Sequence, residues 1–185
     1  MSAEKLIYLT FDDGPTPEVT PWVLALLEKY EFKATFFCLG INAQQHSDII
    51  KQIEKRGHTL GNHGYEHLNG WKTKNKVYIA NADKGAAILK TKLFRPPYGK
   101  ISPLQWLTLR KKYNIVFWDY LSKDYLNIDK QSHFLTRLQK HTHPNRIIVF
   151  HDSYKAFPTL QKYLEPYFEW LKNENYTTQL LHTRL

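Results

Sequence analysis

The chain has 185 residues, of which 42% are apolar and 15% aromatic, and its formal net charge is +9. That length suits one sizeable core and is short for two, so residues 1–185 are expected to form a single domain. No apolar run is long enough to span a bilayer. No signal peptide is visible after Met1, which predicts a cytoplasmic protein unless a leader has been removed from it.

The surplus of basic residues is scattered along the whole chain, as at Lys72, Lys74 and Lys76. A solvated basic surface is one interpretation of this scatter. The other is an anionic partner, such as an acidic cell-wall polymer or a nucleic acid. No nucleic-acid-binding motif accompanies the charge. Cys38 is the only cysteine, which excludes an internal disulfide.

Short apolar runs alternate with longer amphipathic segments along the chain. The apolar runs predict seven strands, at residues 6–11, 34–38, 59–62, 93–95, 115–118, 147–150 and 176–181. The segments between them predict helices that open at Thr16-Pro17, at Ser47 (with Gly57 as the stop), near residue 76, at Ser102-Pro103, at Asp129 and before Leu160.

This alternation of strand and helix determines the expected fold class. The strands are continuous apolar runs, which indicates burial on both faces and hence a parallel sheet wrapped by helices. About seven repeats favour an incomplete, TIM-barrel-like (β/α) barrel over a long open sheet. A doubly wound open sheet is the alternative, but no glycine-rich dinucleotide fingerprint follows the first strand.

Polar residues end most of the apolar runs. In a parallel barrel the carboxyl ends of the strands lie on one face, where active sites are built. Carboxylates, imidazoles and a guanidinium from five segments are therefore expected to converge on one cavity. These residues are Asp12 and Asp13, Asn62 and His63, Arg95, Asp119 with Asp124, and His151 with Asp152.

One part of this set suits a metal ion. His63 and His67 are four residues apart, a spacing that puts both imidazoles on one side of a helical turn. Two imidazoles and a carboxylate leave coordination positions open for water and substrate. In an extended segment Asp12 and Asp13 point in different directions, so one could bind the metal while the other acts as a base. Asp-Asp-Gly-Pro is also strong turn chemistry.

Ordinary structural roles remain open for the other polar residues at this stage. His151 could be a partly buried histidine bonded to backbone, and Asp152-Ser153 could cap the next helix. Arg95 could be a surface arginine. Trp71, Trp118 and Tyr125 could serve as stacking platforms for a sugar, with core packing as the alternative for each.

The motifs resemble those of a known family. Residues 10–15, Thr-Phe-Asp-Asp-Gly-Pro, resemble the first motif of the polysaccharide deacetylases, carbohydrate esterase family 4, also called the NodB-homology domain. Further segments resemble the next four motifs, in the family's order. They are His63-x-x-x-His67, Arg95-Pro96-Pro97-Tyr98, Asp124-Tyr125 and Val149-Phe150-His151.

The resemblance implies a distorted, incomplete (β/α) barrel of about seven parallel strands and hydrolysis of an acetyl group on a glycan. It implies that Asp13, His63 and His67 bind a divalent metal ion. Two imidazoles and one carboxylate favour zinc, with cobalt, nickel, manganese and iron as the other candidates.

The resemblance also implies roles for five further residues. Asp12 would be the general base and would pair with Arg95. His151 would be the general acid and would be tuned by Asp124. The backbone N–H of Tyr98 would help to bind the oxyanion.

Three positions depart from the family's pattern. Gly64 stands where the family usually has Ser or Thr, so a hydroxyl that supports the metal loop is absent. Tyr125 replaces the usual Trp and Val149 the usual Leu, which changes the apolar wall near the acetyl group. Peptidoglycan, chitin oligomers and xylan all stay open as the glycan.

The predicted function is therefore metal-dependent removal of acetyl groups from an N-acetylated glycan of N-acetylglucosamine type. The first alternative is an amidase or imidase that acts on a small non-sugar molecule. The second is a non-catalytic module that binds a metal or a glycan.

Overall fold

The computed structural model describes residues 5–126 and 133–181, and a curled parallel sheet forms its centre. The sheet has eight strands: β1 (Lys5–Asp12), β2 (Ala34–Cys38), β3 (Thr59–Asn62), β4 (Leu93–Phe94), β5 (Asn114–Ile115), β6 (Tyr120–Leu121), β7 (Ile147–His151) and β8 (Tyr176–Thr178). Their order is β5-β4-β3-β2-β1-β7-β6, and β8 pairs with the first part of β1.

This strand order decides between the two fold classes. Apart from β8, each strand lies next to its neighbour in the chain, and the break between β5 and β6 is where the ring is open. All pairings are parallel. A doubly wound sheet would instead reverse its order at a switch point. The incomplete (β/α) barrel is therefore confirmed.

Seven α-helices surround the sheet in the described ranges. They are α1 (Val19–Lys29), α2 (Gly40–Gln45), α3 (Ser47–Lys55), α4 (Asn75–Leu89), α5 (Pro103–Leu109), α6 (Phe134–His141) and α7 (Phe157–Asn173). The helix predicted from Ser102-Pro103 is confirmed in detail, since Ser102 and Gln105 form a capping box. No described helix has the length and apolar character needed to cross a membrane.

Some predicted helix boundaries were wrong. The first helix starts at Val19 rather than at Pro17, because Glu18 adopts a positive φ of 67°. Ser47 is the first helical residue rather than the cap, and α2 was not predicted at all. The cap predicted at Asp129 lies outside the described residues.

The core is built on the two faces of β1. Phe11 stacks on Phe36 of β2 at 5.2 Å between ring centroids and on Phe150 of β7 at 5.5 Å, so a row of aromatic rings crosses the three central strands. Full burial of each ring contributes roughly 1.5–3 kcal/mol. Because side chains alternate along a strand, Thr10 and Asp12 point the other way, into the barrel.

The segment at residues 116–119 crosses the gap in the barrel. The N–H of Val116 donates to the carbonyl of Phe94, and three residues later the N–H of Asp119 donates to the carbonyl of Ile147. The chain thus passes from the β4 side of the opening to the β7 side. The strand predicted at 115–118 was therefore wrong in extent, because the backbone changes its neighbour from β4 to β7 between Val116 and Asp119.

Candidate active site

Asp12 and Arg95 form a buried ion pair at the carboxyl end of β1. Asp12 is the last residue of the strand, and its Oδ1 accepts a hydrogen bond from Nη1 of Arg95 at 2.7 Å. The same guanidinium donates to Thr10 at 2.8 Å and lies 4.0 Å from the ring centroid of Phe37. Arg95 is fully buried, so its interpretation as a surface arginine is wrong. Its charge compensates that of the buried carboxylate.

Asp13, His63 and His67 form a compact cluster beside this pair. Oδ1 of Asp13 lies 3.7 Å from Nε2 of His63 and 3.3 Å from Nε2 of His67. The three potential ligand atoms all lie within 4.8 Å of one another. Oδ1 of Asp13 is buried and has no hydrogen-bond partner among the described residues. A buried carboxylate oxygen without a hydrogen-bond partner is expected to bind an ion or a water molecule.

The protonation of the two imidazoles fits a cation. Nδ1 of His63 lies 2.8 Å from the carbonyl oxygen of Arg95. Because a carbonyl can only accept, Nδ1 carries the hydrogen and the lone pair of Nε2 faces Asp13. Burial lowers the pKa of both His63 and His67, which favours the neutral imidazole that metals bind.

The backbone of this cluster differs from the expected helical turn. Residues 63–67 form an irregular loop after β3, and Gly64 has a φ of 83°. Asp13 is not extended either, since its φ is 82°. A non-glycine residue in this conformation at a cluster of polar side chains is typical of functional sites. Both carboxylates are nevertheless separated as predicted, with Asp12 in the strand and Asp13 in the turn.

Two asparagines support the loop at residues 63–67, in which Gly64 lacks the hydroxyl that the family usually has at that position. Oδ1 of Asn62 accepts from the N–H of Gly64 at 2.9 Å, and Oδ1 of Asn81 accepts from the N–H of Tyr65 at 2.9 Å. A Cβ on Gly64 would lie 2.9 Å from the same Asn81 oxygen, so the amide occupies the space that a side chain there would need. The role of Asn81 in supporting this loop was not predicted from the sequence. The signal that could have indicated it is an asparagine inside a helix, where this residue type is unfavourable.

His151 and Asp124 form the third polar pair of the site. Nδ1 of His151 lies 2.7 Å from Oδ1 of Asp124, and the backbone N–H of His151 donates to Oδ2 at 2.7 Å. Burial by itself would lower the pKa of His151, but Asp124, with help from Asp12 and Asp13, raises that pKa to about 9. The partner of His151 is therefore a carboxylate, and the interpretation as a backbone-bonded core histidine is wrong.

Tyr98 lies in the turn after β4, within a 3₁₀ turn at Pro97–Gly99. Its φ of 59° is positive, the residue lines the same cavity as Asp13 and His63, and its ring contacts that of His67 at 4.3 Å between centroids. No described carbonyl accepts a hydrogen bond from its N–H. That N–H is thus available to a ligand.

A cavity of about 590 Å³ brings the predicted residues together; its walls include Asp12, Asp13, His63, His67, Tyr98 and His151. A second cavity of about 450 Å³ shares Asp13, His67 and Ser153 with it. The cluster therefore lies where two cavities meet, in a cleft with room on both sides. A cavity of about 720 Å³ near Lys33 and His58 lies at the other ends of the strands.

Two polar residues have roles other than those considered from the sequence. Asp119 does not join the cluster, because its carboxylate accepts the N–H of Ile147 at the barrel opening. Asp152 does not cap a helix; it is fully buried and accepts hydrogen bonds from the N–H of Gly14 and the hydroxyl of Thr20. It thereby ties the turn after Asp13 to β7 and α1.

The fold and the site together define a (β/α)-barrel protein with a candidate catalytic metal centre at the carboxyl ends of its strands. The family model for polysaccharide deacetylases matches residues 2–116. The chain therefore belongs to the polysaccharide deacetylase family, which confirms the resemblance seen in its motifs.

The relatives and solved structures agree with this assignment. Two peptidoglycan-N-acetylglucosamine deacetylases of Bacillus cereus are 35% and 34% identical, each over 80% of this chain. The chain spans 56% of the first relative and 73% of the second. The solved structure of a peptidoglycan N-acetylglucosamine deacetylase has a TM-score of 0.89 at 30% identity, covering 99% of this chain and 89% of that one.

Proposed function

We propose that this protein is a metal-dependent deacetylase that removes the acetyl group from an N-acetylated glycan of N-acetylglucosamine type. One observation carries the proposal: a candidate metal cluster is flanked in a single cavity by a carboxylate paired with arginine and an imidazole paired with a carboxylate. The substrates named for the relatives support the glycan class.

Asp13, His63 and His67 would hold the cation, and this donor set favours zinc. When bound, the cation polarises the acetyl carbonyl and lowers the pKa of water at the site. The orphaned oxygen of Asp13 and the two neutral imidazoles support its place there.

Asp12 is assigned as the general base. Its Oδ1 is held by Arg95, so the free oxygen is Oδ2, which lies 3.9 Å from Nε2 of His63. That oxygen borders the cluster and takes the proton of the attacking water. Proton transfer to a positioned base contributes about 10²–10⁴ in rate.

His151 is assigned as the general acid. Asp124 holds its Nδ1, which leaves Nε2 to donate a proton to the leaving nitrogen of the sugar. The raised pKa keeps the imidazolium available at neutral pH. The N–H of Tyr98 donates to the oxygen on which negative charge develops, and one such donor is worth about 3 kcal/mol.

Asp124→Asn is expected to shift the alkaline limb of the kcat profile to lower pH. His151 acts while protonated, so activity is lost as the pH rises through its pKa. Without the carboxylate that pKa falls, by about 1–2 units. Profiles of kcat from pH 5 to 10 for both proteins, with an NMR titration of His151, measure the shift. An alkaline limb that does not move would remove Asp124 from this role.

Acetate release tests the proposed function directly. N-acetylglucosamine oligomers, acetylated xylan and simple acetamides are compared with and without a chelator. Release from the N-acetylated oligomers that stops on chelation and returns with zinc is the expected result. Release from simple amides alone would favour the amidase alternative. Binding of oligomers with no release by the zinc-loaded protein would favour the non-catalytic module.

A further inference from the structure

Asp152 holds the backbone on both sides of the candidate metal ligand Asp13. Its own N–H donates to the carbonyl of Asp12 at 3.1 Å, and its Oδ1 accepts from the N–H of Gly14 at 3.1 Å. Asp13 lies between these two contacts with a φ of 82°, a conformation that persists only where the surrounding structure enforces it. A Cβ on Gly14 would overlap the carboxylate of Asp152, so this close contact requires glycine.

The second oxygen of Asp152 connects the same turn to α1. Oδ2 accepts from the hydroxyl of Thr20 at 2.5 Å, and that hydroxyl oxygen accepts from the N–H of Thr16 at 2.7 Å. Asp152 and Thr20 are both fully buried. Both carboxylate oxygens are thus hydrogen-bonded, and a buried polar network of this kind fixes its surroundings in one geometry.

The charge of this carboxylate has no counterpart in the protein. In the described part of the chain, no basic side chain forms an ion pair with Asp152. The other buried carboxylates of the site are compensated, Asp12 by Arg95 and Asp124 by His151. Burial raises the pKa of Asp152 to about 8 in spite of its hydrogen bonds, since no cation compensates the charge.

The three candidate ligands leave one positive charge of a divalent ion unbalanced. His63 and His67 would bind as neutral imidazoles, so Asp13 supplies the one negative charge among them. Asp152 is the remaining carboxylate beside the turn, and in its ionised form it balances the second charge of the ion. A buried charge is stable only where such a counter-charge is present.

We propose that Asp152 is a positioning residue of the metal centre, which fixes the backbone around Asp13 and supplies the second negative charge that a divalent ion requires. The proposal rests on the metal-dependent function above and extends it to a residue that is not one of the candidate ligands. Thr20 holds the carboxylate in place. The expected consequence is an effect on metal affinity that is separate from any effect on folding.

Asp152→Asn tests the charge, because the amide keeps the shape and an oxygen for the N–H of Gly14. We expect zinc affinity to fall about 10- to 100-fold, measured by competition with a chromogenic chelator. The metal-free variant is expected to unfold at the wild-type temperature or above it, since an uncompensated buried carboxyl group is removed. Asp48→Asn, an exposed position in the first turn of α3, is the control and should change neither quantity.

Thr20 provides a matched pair of variants that keep the charge of Asp152. Thr20→Val removes the hydroxyl and is expected to weaken zinc binding about tenfold, whereas Thr20→Ser should restore it. Wild-type zinc affinity in Asp152→Asn, or a metal-free Asp152→Asn protein that is several degrees less stable than wild type, would overturn the proposal. A wild-type protein that binds no divalent ion would overturn the proposed function as well. Zinc binding without acetate release by the wild type would refute the deacetylase function alone.

Discussion

Asp12→Asn is expected to lower kcat by about 10²–10⁴ while the protein still binds its metal ion. The amide has nearly the shape of the carboxylate and still accepts a hydrogen bond from Arg95, but it cannot take a proton from water. Steady-state acetate release from an N-acetylglucosamine oligomer measures the loss. Zinc titration by calorimetry shows whether the metal centre stays intact.

Removal of a charge that compensates buried Arg95 also affects stability, so this variant needs a control. Asp48→Asn removes a carboxylate from the exposed first turn of α3, remote from the cavity. Thermal unfolding of both variants separates loss of structure from loss of chemistry. A folded, zinc-binding Asp12→Asn protein with wild-type kcat would refute the assignment of Asp12 as the base.

The second large effect is expected from Asp13→Ala, which should weaken zinc binding at least about 100-fold and abolish acetate release with it. Asp13 supplies the one carboxylate of the candidate cluster, and its buried oxygen has no described hydrogen-bond partner that would compete. Two imidazoles alone form an incomplete site. Calorimetry or competition with a chromogenic chelator gives the affinity independently of turnover.

The same measurement of zinc affinity in Asn81→Ala tests whether Asn81 supports the loop at residues 63–67. Asn81 touches no ligand atom but accepts the N–H groups of Tyr65 and Glu66 between the two histidines. A smaller loss, about tenfold in zinc affinity, is expected for such an outer residue. Asp48→Ala is the control here. Equal affinities in Asp13→Ala and wild type would place the metal elsewhere, and an unaffected Asn81→Ala would remove the support role.

The barrel framework and the residues that meet in the candidate site could be predicted from the sequence for one shared reason. β2 and β3 have the predicted bounds, and β1 and β7 extend the predicted runs by one or two residues, because strands buried on both faces must be continuously apolar. Parallel strands then bring their polar carboxyl-terminal residues to one edge. Asp12, Asp13, His63, Arg95 and His151 meet there without further information.

The short elements depended on contacts that no local pattern encodes. β6 has two residues and exists because Tyr120 and Leu121 pair with β7. The apolar residues at 115–118 predict a strand, yet the chain crosses the barrel opening there and changes its neighbour from β4 to β7 between Val116 and Asp119. α1 begins later than expected because Glu18 has a positive φ, which the sequence does not signal.

The sequence by itself determined which side chains meet in the candidate site and which end of the barrel holds them, since strand direction and apolar continuity are local properties. The tertiary structure alone decided how those side chains are held. Asn81 supports the histidine loop from α4, and Asp152 ties the turn after Asp13 to β7 and α1. Each of these contacts joins residues far apart in the chain, and such pairings depend on packing rather than on periodicity.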